Sequence, residues 1–297
     1  MFEKIRFKKD YDFGSLHGYK VEGVVSFYVE TKSRDDLKKI ITTCKKKRLR
    51  FNPCGGGSNT LIKDRFNGIF VHWKNSSIKI LKDDGNRVRI QVGSACTKSD
   101  LNDFCIEHGL SGIEFWAGIP GMVGGGVAMN AGAYNEEIKN SVFEIYYTTD
   151  TEDCSAKSHD LKWSYRKLDL PKHAVITDVV FELTKADPKE VKKLSDSYIL
   201  DRENKHPLEY PSCGSVFKNP DNSDNGAWWY VREAGLTGFV IGGAKVSEKH
   251  TNFIINADNA TASDVIKLIK EIKKRVKAKF NVSLKEEIKI LNVRSSK

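Results

Sequence analysis

The chain is predicted to be an α+β protein. Strand-like and helix-like segments both recur along its length. They do not follow the regular strand–helix–strand order of a doubly wound sheet. The composition, 39% hydrophobic and 30% charged, belongs to a globular chain and excludes a disordered or fibrous one. At 297 residues there is room for about two or three domains.

The elements follow in order. Val24–Glu30 is β-branched and aromatic, hence a strand. Ser33 caps a helix whose inward positions are Leu37, Ile40, Ile41 and Cys44. After the glycine run Gly55–Gly57 comes a strand over Gly68–Trp73, and Val88, Ile90 and Val92 alternate with polar residues in another. Thr97 and Asp100 form a capping box for a helix with Leu101, Phe104 and Cys105 inward, and Gly109 ends it. Phe115–Asn135 carries no charge but holds six glycines and Pro120, so it reads as a buried, turn-rich segment and a poor membrane helix. Val142–Thr149 and Ala174–Leu183 are strands. Asp187-Pro188 opens a helix with Val191, Leu194, Tyr198 and Ile199 on its apolar face. The polar run Asp201–Lys205 before Pro207 and Pro211 is the best domain boundary. Strands are expected around Ser215–Lys218, Asn252–Asn256 and Glu287–Leu291. The capping box Thr261-x-x-Asp264 starts the clearest helix, with Val265, Leu268, Ile269, Ile272 and Val276 inward.

Six cysteines include no CxxC pair, and the opening Met1–Asp10 has no apolar run for a signal peptide. Free thiols in a reducing cytoplasm are expected. The seven histidines show no metal-ligand spacing, so no metal is expected. Net charge is +10, which fits nucleic acid, an anionic surface or an anionic small molecule. The lysines are spread along the helices and not clustered with aromatics, which argues against nucleic acid.

Three segments carry chemistry. In Gly55-Gly56-Gly57-Ser58-Asn59, consecutive glycines let backbone N–H groups approach an anion; a flexible surface turn is the plainer reading. Gly118-Ile119-Pro120-Gly121 through Gly124-Gly125-Gly126 and on to Asn130-Ala131-Gly132 lacks the GxGxxG pattern. Six glycines in fifteen residues imply close backbone approach, either to a ligand or to a neighbouring element. Gly214-Ser215-Val216-Phe217-Lys218-Asn219-Pro220 sets a hydroxyl beside donors suited to phosphate, though a serine in a turn also explains it. Tyr165-Arg166 and Glu286-Glu287 are weak alone. Strand alternation puts the two glutamates on opposite faces.

Together and in this order, the segments resemble the UDP-N-acetylenolpyruvoylglucosamine reductases. Met129–Tyr134, Gly243-Ala244, Val246–His250 and Ala260–Ala262 also fit, and the resemblance runs from near residue 20 to near residue 291. It implies a two-part FAD-binding region of the vanillyl-alcohol-oxidase type, residues 1–72 and 73–200, and a C-terminal α+β substrate-binding domain, residues 201–297. It implies non-covalent FAD held by Gly55, Gly56, Gly57, Ser58, Asn59, Gly118, Ile119, Pro120, Gly121, Gly124, Gly125, Asn130, Ala131 and Gly132. NADPH would be co-substrate, and Tyr165, Lys205, Lys218 and Asn219 would hold the UDP-sugar. Arg166 would polarise the substrate carboxylate, Ser215 would protonate C2, and Glu287 would either orient Arg166 or itself carry a proton. Arg166 and Ser215 lie 49 residues apart, as in the shorter class lacking an extra substrate-covering loop. A cytoplasmic enzyme of peptidoglycan precursor synthesis is implied, with no nucleic acid, membrane or obligate protein partner. Another FAD-dependent oxidoreductase with the same kind of FAD-binding region is the alternative.

Overall fold

Helix and strand periodicity in the sequence resolves into six α-helices and a set of mostly short strands in a computed structural model, which describes residues 5–16, 18–221 and 223–292. The charged opening Met1–Lys4 and the last residues, 293–297, lie outside them. The chain divides into two compact units. One holds Phe27–Gly55 and Gly68–Arg202 with the described residues before Lys9; the other holds Lys9–Ser26, Gly56–Asn67 and what is described from Glu203 on.

The first unit is built on an antiparallel sheet. Its strand order is Asp153–Lys157, Val142–Thr148, Val175–Lys185, Arg87–Gly93 and Ile78–Asp83, with Leu110–Ser111 also on Val175–Lys185. Val88, Ile90 and Val92 are fully buried, and they join Leu101 and Cys105 of helix α2 (Lys98–His108) in one core. A second core in this unit gathers Leu37, Ile40, Ile41 and Cys44 of α1 (Arg34–Lys47) against Ile69 and Val71. There Arg50–Cys54 pairs in parallel with Gly68–His72. Ser33 caps α1 through Asp36 N, and Thr97 caps α2 through Asp100 N. Gly109 closes α2 at φ +60, where glycine carries no Cβ penalty.

The segment Phe115–Asn135 is more ordered than its glycines imply. Phe115 and Trp116 are buried in a 3₁₀ turn, and Val123–Ala128 forms the six-residue helix α3. Packing outweighs the poor helix propensity of its glycines. A Cβ on Gly124 would lie 2.6 Å from the Ser94 Cβ, and one on Gly126 would lie 2.9 Å from the Trp116 ring. Helix α4 (Pro188–Lys205) also differs from expectation. It runs through Asp201–Lys205, so the expected boundary is helical, and the two compact units divide within it, between Arg202 and Glu203. Leu194 is exposed, while Ser195 is fully buried and donates to Asn102 Oδ1 at 2.9 Å.

The second unit has its own core. Helix α6 (Ala262–Phe280) buries Val265, Leu268, Ile269, Ile272 and Val276, and Thr261 and Asp264 complete the reciprocal capping box. Beside it lie α5 (Ala227–Glu233) and the antiparallel strands Val240–Ile241, Ala244–Val246 and Ile254–Asn256. Residues 9–26 and 56–67, expected with the FAD-binding region, pack in this unit. Thr60–Ile62 pairs in parallel with Lys289–Leu291, and Tyr19, Val21 and Leu61 are buried in the α6 core. The six cysteines are free thiols. Among the described residues no helix is long and apolar enough to cross a membrane, and no His/Cys/Asp/Glu group is placed to hold a metal.

Candidate active site

In the second unit, Ser215 and Glu287 occupy neighbouring backbone segments. Glu287 N donates to Val216 O at 2.8 Å, Lys218 N donates to Lys285 O at 2.9 Å, and Phe217 opposes Glu286. On the other side Ser215 opposes Phe253. Gly214, at φ +74 with open space where a Cβ would sit, makes the turn that delivers Ser215. Asn252 does the work of a missing strand. Its carbonyl accepts from Val216 N, its Oδ1 from Phe217 N at 3.0 Å, and its Nδ2 donates to Phe217 O at 2.9 Å. Sequence reasoning passed over Asn252; its signal was a buried polar residue ahead of the apolar run Phe253–Ile255.

The two glutamates have different surroundings. Leu284 and Ile288 are buried in the α6 core. Glu286 accepts from Lys273 Nζ of α6 at 2.7 Å, so its carboxylate is committed to that helix. The Glu287 carbonyl accepts from Asn59 Nδ2 at 3.3 Å. The glycine loop thus reaches the catalytic candidate through Asn59. Gly57, at φ +68, turns that loop and accepts from Thr60 N at 3.2 Å, while Gly56 has open space at its Cβ position. Lys218 is half-buried. Lys205 is exposed at the end of α4. Asn219 accepts from Ala227 N at 3.0 Å and so caps α5. Cys213 is no rival nucleophile, because burial pushes its thiol up to about 12.

In the first unit, Arg166 sits in the two-residue turn between Trp163–Ser164 and Lys167–Leu168. It holds φ +57, a left-handed conformation unusual for arginine. Its Nη2 donates to Gly132 O at 2.9 Å, and its guanidinium lies 4.7 Å from the Tyr165 ring centroid. A side chain at Gly132 would collide with Glu136 O and crowd the Arg166 fork. Asn130, expected to bind cofactor, is fully buried. Its Nδ2 donates to Ser164 O at 3.1 Å and its Oδ1 accepts from Lys139 N at 3.3 Å. Its side chain is therefore engaged inside the protein.

The glycine-rich segment leaves part of its backbone bare. Several of its N–H groups are already used: Ile119 donates to Trp116 O, Gly124 to Ser94 O and Ala131 to Gly126 O. Gly118 and Gly121 adopt positive φ, and Gly125 is exposed with no heavy atom within 4 Å of its Cβ position. So Gly124 and Gly126 are explained by protein packing and Gly125 is not. A bare backbone facing open space accommodates a cofactor that a Cβ would displace. Beneath this loop, Lys98 is buried with Nζ 3.4 Å from Pro120 O and 4.9 Å from the Trp116 ring centroid. Burial, then the Arg202 charge, lowers its pKa to about 7. Arg202 itself donates to Gly118 O at 3.2 Å.

Residues 25–151 match the FAD binding domain family, which makes the chain a flavoprotein. Residues 206–291 match the UDP-N-acetylenolpyruvoylglucosamine reductase C-terminal domain. The chain is 39% identical over 277 residues to UDP-N-acetylenolpyruvoylglucosamine reductase 2 of Bacillus cereus, covering 92% of this chain and 88% of that one. It is 35% identical to the reductase of Geotalea uraniireducens over 276 residues, 92% of this chain and 90% of that one. The crystal structure of the enzyme from Thermus caldophilus superposes with a TM-score of 0.81 at 26% identity, over 96% of this chain and 99% of that one. The chain belongs to the UDP-N-acetylenolpyruvoylglucosamine reductase family.

Proposed function

We propose that the chain reduces UDP-N-acetylglucosamine enolpyruvate to UDP-N-acetylmuramate, as an FAD-dependent, NADPH-using step of peptidoglycan precursor synthesis in the cytoplasm. Membership of the family and the FAD-binding match support the reaction. Ser215, Arg166 and Glu287 are the residues to which we assign the chemistry. The observation that carries the assignment is the pairing of Val216 with Glu287, which sets Ser215 and Glu287 on adjacent backbone while Glu286 is held by Lys273.

FAD, when held, would relay a hydride from NADPH to the enolpyruvyl carbon. Addition at C3 drives negative charge toward C2 and the carboxylate oxygens. Arg166 stabilises that charge, since a guanidinium pairs with a carboxylate through a planar fork and keeps its proton. The Ser215 hydroxyl supplies the proton to C2. Glu287, level with Val216 in the facing segment, either orients Arg166 or itself carries a proton for the developing charge. Gly55–Asn59, Gly118–Gly121, Gly125 and the Asn130–Gly132 backbone are the proposed cofactor surface; Gly124, also expected there, is taken up by packing on Ser94. Tyr165, Lys205, Lys218 and Asn219 are the proposed contacts to the UDP-sugar. The reading is tested by purifying the protein, releasing its flavin with acid and following NADPH oxidation with the enolpyruvyl sugar. A yellow protein that turns over only with that sugar supports it. Protein that stays colourless after incubation with FAD refutes it.

A further inference from the structure

We propose that Glu137 is a positioning residue that sets the direction of the Arg166 guanidinium. The inference rests on the assignment of Arg166 to the substrate carboxylate and names what aims it.

Arg166 needs outside support. It occupies a turn position that favours glycine or asparagine, and its long side chain has many rotamers to lose. Support comes from the next hairpin, where Gly132 pairs with Glu137. That hairpin turns through Tyr134 and Asn135, both at positive φ, and returns Glu137 beside the Gly132 carbonyl that accepts from Arg166 Nη2. Asn130 ties the two hairpins together. One Nδ2 hydrogen goes to Ser164 O, the residue before the Tyr165-Arg166 turn. The Asn130 Oδ1 takes Lys139 N, two residues beyond Glu137. A fully buried amide thereby ties the Tyr165-Arg166 turn to the segment that follows the Glu137 strand.

The Glu137 carboxylate also receives Lys139 Nζ at 2.6 Å and faces the Arg166 charge. Burial alone would raise its pKa. The hydrogen bonds from Lys139 and Asn130 and the charges of Lys139 and Arg166 outweigh burial and hold it below the usual carboxylate range. Glu137 is thus an ionised group beside the guanidinium. An anion on a rigid hairpin limits the rotamers of the arginine before substrate arrives, which preorganises the site.

The test uses FAD-loaded enzyme and anaerobic rapid mixing, with flavin reduction by NADPH and flavin reoxidation by the enolpyruvyl sugar followed separately. Glu137→Gln keeps the shape and removes the charge. It is expected to slow reoxidation about tenfold, within the coupling range of contacting residues, and to leave reduction within about twofold. Glu137→Asp keeps the charge at shorter reach and should lie between Gln and wild type. Adding Glu137→Gln to Arg166→Lys should cost little further, because a positioning residue has nothing left to aim. Equal slowing of both half-reactions, Asp no better than Gln, full additivity with Arg166→Lys, or wild-type reoxidation in both Glu137 variants would each overturn the proposal. If Arg166→Lys itself leaves reoxidation intact, the assignment of Arg166 fails and this inference falls with it. A slow Arg166→Lys beside wild-type Glu137 variants sinks the inference alone.

Discussion

Gly125→Ala separates cofactor contact from protein packing. Gly125 is exposed on α3, and a Cβ placed there meets no protein atom within 4 Å. Its φ is not positive, so alanine adopts the same backbone without strain. In FAD-free protein the change should therefore stabilise by about 0.5–1 kcal/mol, the usual gain of alanine over glycine in a helix. Gly124→Ala is the contrast. Its Cβ would lie 2.6 Å from the Ser94 Cβ and 3.1 Å from Ser94 O. Overpacking of that kind costs about 1–3 kcal/mol whether or not cofactor is bound. If the bare face of Gly125 lies against FAD, its added methyl meets the same kind of penalty in the complex. The dissociation constant for FAD should then rise about tenfold to a hundredfold. Urea unfolding of the FAD-free protein and quenching of flavin fluorescence on titration give the two quantities. The expected signature is opposite signs: a more stable FAD-free protein that binds FAD more weakly. FAD binding as tight as wild type in Gly125→Ala would refute the cradle reasoning.

Two further outcomes follow from the same geometry. Glu287→Gln should slow reoxidation of the reduced flavin by the enolpyruvyl sugar. Glu286→Gln should leave that rate unchanged and lower stability by no more than about 1 kcal/mol, since it loses only a partly exposed ion pair with Lys273. The reverse pattern in stopped-flow traces would place the frame across Leu284–Ile288 one residue out. Lys98→Met should raise stability near pH 6.5 and remove a pH dependence. With the Lys98 pKa lowered to about 7 from its ordinary 10.5, the folded protein sheds a proton between those values that the unfolded chain retains. Stability of the parent therefore rises with pH across that window, while below it the burial cost stays in full. Urea unfolding of both proteins at a series of pH values should show their difference shrinking as pH climbs; a constant difference would contradict the burial argument.

Local signals made much of the fold legible before any coordinates. The caps Ser33, Thr97 and Thr261 and the apolar faces of α1 and α6 act within a turn or two, so sequence order alone exposes them. The alternation across Leu284–Ile288 likewise anticipated the burial of those two residues. What escaped depends on contacts far apart in sequence. Helix α3 exists because Ser94 and Trp116 leave room only for glycine, which reads locally as a helix breaker. Residues 56–67 join the second unit through a parallel pairing with Lys289–Leu291, and no local pattern reports it. Asn130 and Asn252 were hidden for another reason: each replaces backbone hydrogen bonds for a segment that is not its neighbour. The motifs around Ser215 and Arg166 were legible by resemblance, whereas the left-handed turn at Arg166, in a position that favours glycine, was not.

Ser215→Ala tests the assignment of the chemistry most directly. The hydroxyl is proposed to act only after hydride has been committed to the substrate, so NADPH-driven flavin reduction should stay within about twofold of wild type. Reoxidation by the enolpyruvyl sugar should fall about 10²-fold or more, the scale for loss of a general acid. Anaerobic rapid mixing, following flavin absorbance in each half-reaction, reads both numbers on one preparation. A selective loss in the second half-reaction is the result expected; equal slowing of both, or reoxidation at the wild-type rate, would contradict the account.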